Sequence, residues 1–152
     1  MRDLGATATD EAGAAIERCF ELVTDVEQYP HWYPAGVKRA EPLERATDGQ
    51  LTKVIATLVL AHGRIQRDFT LHMEVTREPP RLVELRRLPK HPGDQEQVVI
   101  SWRLSSQGPQ RTRVEVELAA KLDLPRFLPL GGVADSIANG FLSAALDALR
   151  AG

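Results

Sequence analysis

Cysteine is nearly absent from this chain: Cys19 is the single one among 152 residues. An internal disulfide and a multi-cysteine metal site are thereby excluded, and Cys19 reads as a buried helix residue in a reducing compartment. A concentrated positive surface is missing too. The 19 Lys and Arg are interspersed among 21 Asp and Glu, for a formal net charge of -2, and Lys38-Arg39 and Arg86-Arg87 read as solvated strand positions. Phosphate neutralisation needs a basic stripe, so no nucleic-acid partner is expected. Long hydrophobic runs are also lacking. The longest, Val54 to Ala61, contains Thr57 and falls far short of the ~20 residues that cross a bilayer, and Met1-Arg2-Asp3-Leu4 opens no apolar signal segment. The expectation is a cytoplasmic protein with no membrane span.

Signatures of chemistry are equally sparse. His31, His62, His72 and His91 stand far apart and show no metal-ligand spacing. Gly131-Gly132 is an isolated pair rather than a phosphate-cradling loop, and no GxSxG occurs. Asp68 and Glu74 fall on the polar face of a strand, where a solvated role outweighs acid-base work. No catalytic residue, metal site or cofactor is assigned on these grounds.

What is present is pattern. With 43% hydrophobic and 26% charged residues the chain has the composition and length of one globular domain, spanning 1–152. Ile16, Cys19, Phe20 and Val23 recur at helical spacing and predict an amphipathic helix over 12–24. Pro30 prevents its simple continuation, so 26–33 should form a second short helix or turn. Leu4, Ala6 and Ala8 could supply a first strand, although they lack the β-branched residues that favour one. From Val37 onward the period changes to alternation, punctuated by Asp48-Gly49, His62-Gly63, Pro79-Pro80, Pro92-Gly93 and Gly108-Pro109. Six antiparallel strands follow. Ile65, Phe69, Leu71, Met73 and Val75 share a dry face opposite Asp68, His72 and Glu74, and Val98, Ile100, Trp102 and Leu104 repeat the pattern, as do Val114, Val116, Leu118, Ala120 and Leu122. Val54, Ala56, Leu58 and Leu60 should face inward as well. A sheet with one dry face needs a cover, and the stripe Val133, Ile137, Phe141, Ala144, Ala145, Ala148 and Leu149 supplies a helix roughly 27 Å long. The Leu124 to Leu130 segment before it should be an irregular, sheltered approach. Gly140 inside that helix implies either a neighbouring backbone packed closely or space left for a ligand.

The densest stretch is Asp25-Val26-Glu27-Gln28-Tyr29-Pro30-His31-Trp32-Tyr33-Pro34. Loops normally run over the surface and are polar, so aromatics held by prolines here mean either a lid over a hydrophobic space or a short packed helix that plugs the core. With Phe20-Glu21-Leu22-Val23-Thr24 before it, the strands after it and the Gly131 to Leu149 helix at the end, this segment resembles the START-like SRPBCC superfamily, which includes polyketide cyclases and coenzyme-Q-binding proteins. The resemblance implies an α+β helix-grip fold: a curved antiparallel sheet of six to seven strands wrapped around a long C-terminal helix, with two short helices after the first strand and a hydrophobic cavity between sheet and helix. It implies binding or transport of a hydrophobic small molecule such as a lipid, a prenyl quinone or a polyketide. The alternatives are an aromatase/cyclase acting on a chain held in the same place and a ribosome-association interaction protein. Candidate ligand contacts are Tyr29, Trp32, Tyr33, Leu58, Leu60, Arg67, Phe69, Leu71, Met73, Leu85, Ile100, Trp102, Val116, Leu118, Ile137 and Phe141. Arg67 stands out, because it falls on the apolar face beside Phe69. There it needs a partner, water at a mouth, or an anionic ligand group.

Overall fold

The computed structural model describes the backbone of residues 1–152 and every side chain except those of His62 and Ile65, so the turn role expected of His62 and the inward face expected of Ile65 lie outside the described residues. Alternating segments become strands and the two apolar stripes become helices. In chain order these are β1 (Arg2–Ala12), α1 (Ile16–Thr24), a single 3-10 turn (Val26–Gln28), α2 (Tyr29–Trp32), β2 (Val37–Arg45), β3 (Leu51–His62), β4 (Ile65–Glu78), β5 (Leu82–Arg87), β6 (Gln97–Gly108), β7 (Arg111–Leu122) and α3 (Val133–Ala151). The strands form one antiparallel sheet in the order β1-β7-β6-β5-β4-β3-β2. Its concave face holds the core, and α3 lies across it against β1, β7 and β3.

Two boundaries differ from the sequence reading. The first strand forms without β-branched apolar residues, because it pairs along its whole length with β7, from Arg2 opposite Leu122 to Ala12 opposite Thr112. That pairing extends the strand to Ala12, which is buried, so α1 begins at Ile16 and not at residue 12. The inward register of β3 holds: Val54, Ala56 and Leu60 are buried and Ile55 faces the outer side. On α3 the buried set is wider than the predicted stripe and includes Ala134, Ala138, Leu142 and Leu146. A helix gripped by sheet, β1 and α1 together is covered on more than one side.

Two arginines point inward and are satisfied there. Arg87, expected to be solvated, is 6% exposed, because it continues the inward positions Val83 and Leu85 of β5. Its Nη2 meets Asp94 Oδ2 at 2.8 Å and its Nη1 donates to the Glu96 carbonyl at 2.8 Å. Asp94 also accepts the backbone N–H groups of Lys90 and Glu96, which folds the β5–β6 loop around one guanidinium. Arg77 donates from Nε to Thr24 Oγ1, from Nη2 to the Thr24 carbonyl and from Nη1 to the Leu51 carbonyl. A guanidinium at the C-terminal end of α1 satisfies a carbonyl left open by the helix and ties it to β3.

The antiparallel order gathers the N-terminus, the α2–β2 turn, the β3–β4 turn, the β5–β6 loop and the 123–132 segment at one end of the sheet. The last of these has no helix or strand, as expected, and it is sheltered only in part: Leu124 is buried and Leu128 and Leu130 pack against the core, whereas Phe127 is 84% exposed. Gly132, at φ 82°, then turns the chain into α3 in a left-handed conformation that favours glycine.

Candidate functional site

Tyr29, Trp32 and Tyr33 are delivered by one tight turn. Pro30 sits in the first turn of α2, where its missing N–H leaves no broken bond. The Tyr33 N–H donates to the Tyr29 carbonyl at 2.7 Å, the Gly36 and Val37 N–H groups return to the Tyr33 carbonyl, and the Val59 N–H fastens Gly36 to β3 at 2.8 Å. The three rings meet Trp102 of β6 and Phe141 of α3 in one cluster. Tyr29 and Trp32 lie 4.9 Å apart, Tyr33 meets Phe141 edge-on at 4.8 Å, and Trp102 meets Phe141 edge-on at 6.1 Å. Edge-on pairs at these spacings suit the ring quadrupoles.

Within the cluster the two tyrosines have different surroundings. Tyr29 is fully buried and its hydroxyl donates to the Val23 carbonyl at 2.5 Å, so it pins α2 to α1. The Trp102 indole N–H lies beside that hydroxyl without the alignment of a hydrogen bond. Tyr33 is half-buried and its hydroxyl has no hydrogen-bond partner among the described residues. Desolvation pushes its pKa up, which keeps the phenol protonated and able to donate. Its ring is held between two glycines. A Cβ on Gly36 would lie 2.2 Å from Tyr33 Cε2, and one on Gly140 would lie 2.1 Å from Tyr33 Oη. No larger residue fits at either place without displacing the ring. Of the two readings of Gly140, close packing holds, but the expected neighbouring backbone is replaced by the Tyr33 side chain.

Beside Tyr33 lies an apolar cavity of ≈ 50 Å³ between the concave face and α3. Of the predicted contacts, Tyr33, Leu58, Leu60, Phe69, Leu71, Ile100, Leu118, Ile137 and Phe141 line it. Tyr29, Trp32, Met73, Leu85, Trp102 and Val116 do not; all but Trp32 are fully buried parts of the packed core. Arg67 is exposed, with its guanidinium carbon 5.7 Å from the centre of the Phe69 ring, a cation-π distance. It pairs across the ladder with Leu60 and so stands at the rim rather than inside. The wall also contains Leu4, Gly36, Val59, Val98, Ala120 and Leu122, which the sequence reading did not select as contacts. Leu4, Ala120 and Leu122 belong there because β1 closes on β7. Among the described lining residues Tyr33 alone carries a polar side chain.

A second, larger cleft of ≈ 500 Å³ opens between α1 and the β2–β3 turn, lined by Glu21, Asp25, Glu27, Arg45, Asp48 and Arg77 among others. Its charges are largely engaged with protein groups: Arg45 with Glu27, and Arg77 with Thr24 and Leu51. Burial, and after it the charge of Glu27, raises the Asp25 carboxyl above its ordinary value. Among the described residues no three His, Cys, Asp or Glu side chains are grouped to hold a metal ion. The apolar cavity is the better candidate, because it combines greasy walls with one convergent polar atom.

The family model described as polyketide cyclase / dehydrase and lipid transport matches residues 13–150. A comparison with curated proteins finds no match. Among solved structures, a START superfamily protein from Mycobacterium smegmatis superposes with a TM-score of 0.81 at 18% identity, over 97% of this chain and 98% of that one. The Zhui aromatase/cyclase from Streptomyces sp. R1128 gives 0.72 at 17% identity over 98% and 94%. A conserved protein from Geobacillus kaustophilus gives 0.75 at 18% identity over 97% and 96%. These likenesses establish a START-like fold.

Proposed function

The chain belongs to the polyketide cyclase / dehydrase and lipid transport family, and from that premise we propose that its 152 residues act as one domain that binds an apolar small molecule between sheet and α3. The molecule carries a hydrogen-bond acceptor, a carbonyl or hydroxyl oxygen, that meets Tyr33. Lipids, prenyl quinones and polyketides satisfy this description. The supporting observation is the Tyr33 hydroxyl: protonated, without a partner among the described residues, and alone in polarity on an apolar wall. A half-buried donor of this kind, whose oxygen is not among the fully buried unpaired atoms, favours a ligand that supplies an acceptor. Pockets for drug-sized ligands measure about 300–1,000 Å³, whereas the cavity holds ≈ 50 Å³. Binding therefore requires the Tyr33 ring or α2 to yield, which makes this segment both plug and lid. Arg67 at the rim is available to an anionic or carbonyl end that reaches out of the mouth.

Aromatase/cyclase activity is the second reading, favoured by the same hydroxyl, since a protonated phenol polarises a ketone. Aldol closure also needs a base for the α-proton. The described lining residues offer no carboxylate, histidine or lysine for it, so binding is the stronger reading. A cytoplasmic place of action belongs to the proposal, resting on the single free thiol of Cys19.

Native mass spectrometry with organic extraction of the purified protein identifies any bound molecule. Quinones, fatty acids and aromatic polyketides are then titrated against wild type and Tyr33→Phe, following tryptophan fluorescence and melting temperature. A true ligand saturates, and at a hundredfold excess over its dissociation constant it adds about 2.7 kcal/mol to folding stability. Losing the phenol hydrogen bond should weaken carbonyl-bearing ligands by up to about tenfold. Equal affinity in both proteins refutes the role of Tyr33. Absence of any saturable response leaves the interaction-protein reading in its place.

A further inference from the structure

Among the described residues the exposed large hydrophobics are Met1, Leu43 and Phe127, at 58%, 47% and 84% exposure. Two of them, Met1 and Phe127, lie at the same end of the molecule, the end where Leu4, Leu60 and Leu122 close the apolar cavity. Phe127 projects from the segment between Pro125 and Pro129, and that segment is held in place. The Arg2 Nη1 donates to the Pro125 carbonyl at 2.8 Å, the Arg126 carbonyl at 3.3 Å and the Leu128 carbonyl at 2.8 Å. Leu128 and Leu130 pack partly against the core beneath. One residue of an anchored apolar loop is thus turned outward.

Charge at this end departs from the chain's net -2. Arg64, Arg67, Lys90, Lys121 and Arg126 are exposed here and Arg2 is half-buried, against Asp3, Asp123 and Asp135, which have no ion-pair partner among the described residues. The other carboxylates near this end are engaged, Asp68 with Lys38, Asp94 with Arg87, and Glu96 with the Asp123 N–H. A projecting aromatic at an end of the molecule that also carries exposed arginine and lysine combines the two attractions that hold a peripheral protein to a membrane: burial of an apolar side chain at the acyl boundary and attraction to anionic headgroups.

We propose that the Phe127 end of the molecule docks on an anionic phospholipid surface, facing the mouth of the cavity toward the bilayer. Docking does not depend on the ligand reading, and it is measured on protein with no added ligand, so the two stand or fall separately. Wild type is sedimented with phosphatidylcholine vesicles with and without phosphatidylglycerol. Binding is expected to the anionic vesicles, to weaken with added salt, and to fall by roughly tenfold or more in Phe127→Ser. Arg64→Glu combined with Arg126→Glu should abolish it. Leu43→Ser, which removes an exposed apolar residue toward the other end, should bind as wild type does. Unchanged melting temperatures of the variants exclude misfolding as the cause, since Phe127, Arg64 and Arg126 are all exposed. Equal binding to both vesicle types, or binding unaffected by Phe127→Ser, overturns the proposal. A concentration-dependent dimer lost in Phe127→Ser, with no vesicle binding, overturns it in favour of a second copy of the chain.

Discussion

Tyr33 shows how one side chain can explain two glycines far apart in sequence. A glycine inside a helix costs about 1 kcal/mol relative to alanine, and Gly140 bears that cost where the Tyr33 hydroxyl occupies the place of its Cβ. The ring cannot retreat, because Gly36 lies equally close on its other side. Gly140→Ala should therefore destabilise the wild-type protein, by about 1–3 kcal/mol if it behaves as ordinary overpacking. In a Tyr33→Ala background the same change should stabilise by up to about 1 kcal/mol, its helix propensity being then unopposed. Urea unfolding of the four proteins measures the reversal of sign, and equal effects in both backgrounds would show that the tyrosine is not what requires the glycine. The sequence alone could mark Gly140 as unusual, but the residue that fills its space lies more than 100 positions away, on an element whose docking depends on the fold.

At the scale of elements, legibility followed periodicity. The six strands from Val37 and the last helix were readable because each buries one face, and alternation or helical spacing records that directly. The first strand was hard to read, since its alanines and polar residues become a strand through pairing with β7. The cavity wall suffered the same loss: Leu4 and Leu122 line it only once that pairing is made. Arg87 was misread because an inward arginine is recognisable only with its partner, and Asp94 belongs to a loop with no period at all. That loop carries a pH prediction. The hydrogen bond from Arg87, with those from the Lys90 and Glu96 N–H groups, holds the Asp94 carboxyl well below the usual carboxylate range. A carboxyl lowered in the folded state adds stability above its ordinary unfolded value, about 3.9, and loses it as the pH falls into the acid range. Asp94→Asn should be less stable than wild type at neutral pH, and the gap should narrow below about pH 4. Denaturant midpoints at pH 7 and pH 3 test this; a gap that stays constant would mean the loop is held by other contacts.

For the whole molecule, the decisive feature is that the first strand closes on the last. Arg2 stands opposite Leu122 and Ala12 opposite Thr112, so the sheet is completed across nearly the full length of the chain. Such pairing pays its loop-closure entropy late, whereas the β3–β4 and β6–β7 hairpins need only short turns. Pulse-labelled amide exchange during refolding should protect β3 and β4 before β1, and early protection of β1 would contradict this order. During synthesis, at roughly 5–20 residues per second, β1 emerges well before β7 and waits several seconds for it, a naked strand in a crowded medium. Its make-up suits that wait. Gly5, Thr7, Thr9, Asp10 and Glu11 break up its few alanines and Leu4, and such a segment has little tendency to stack with copies of itself. The weak strand propensity that hid β1 in the sequence thus also disfavours its pairing with copies of itself before β7 has left the ribosome.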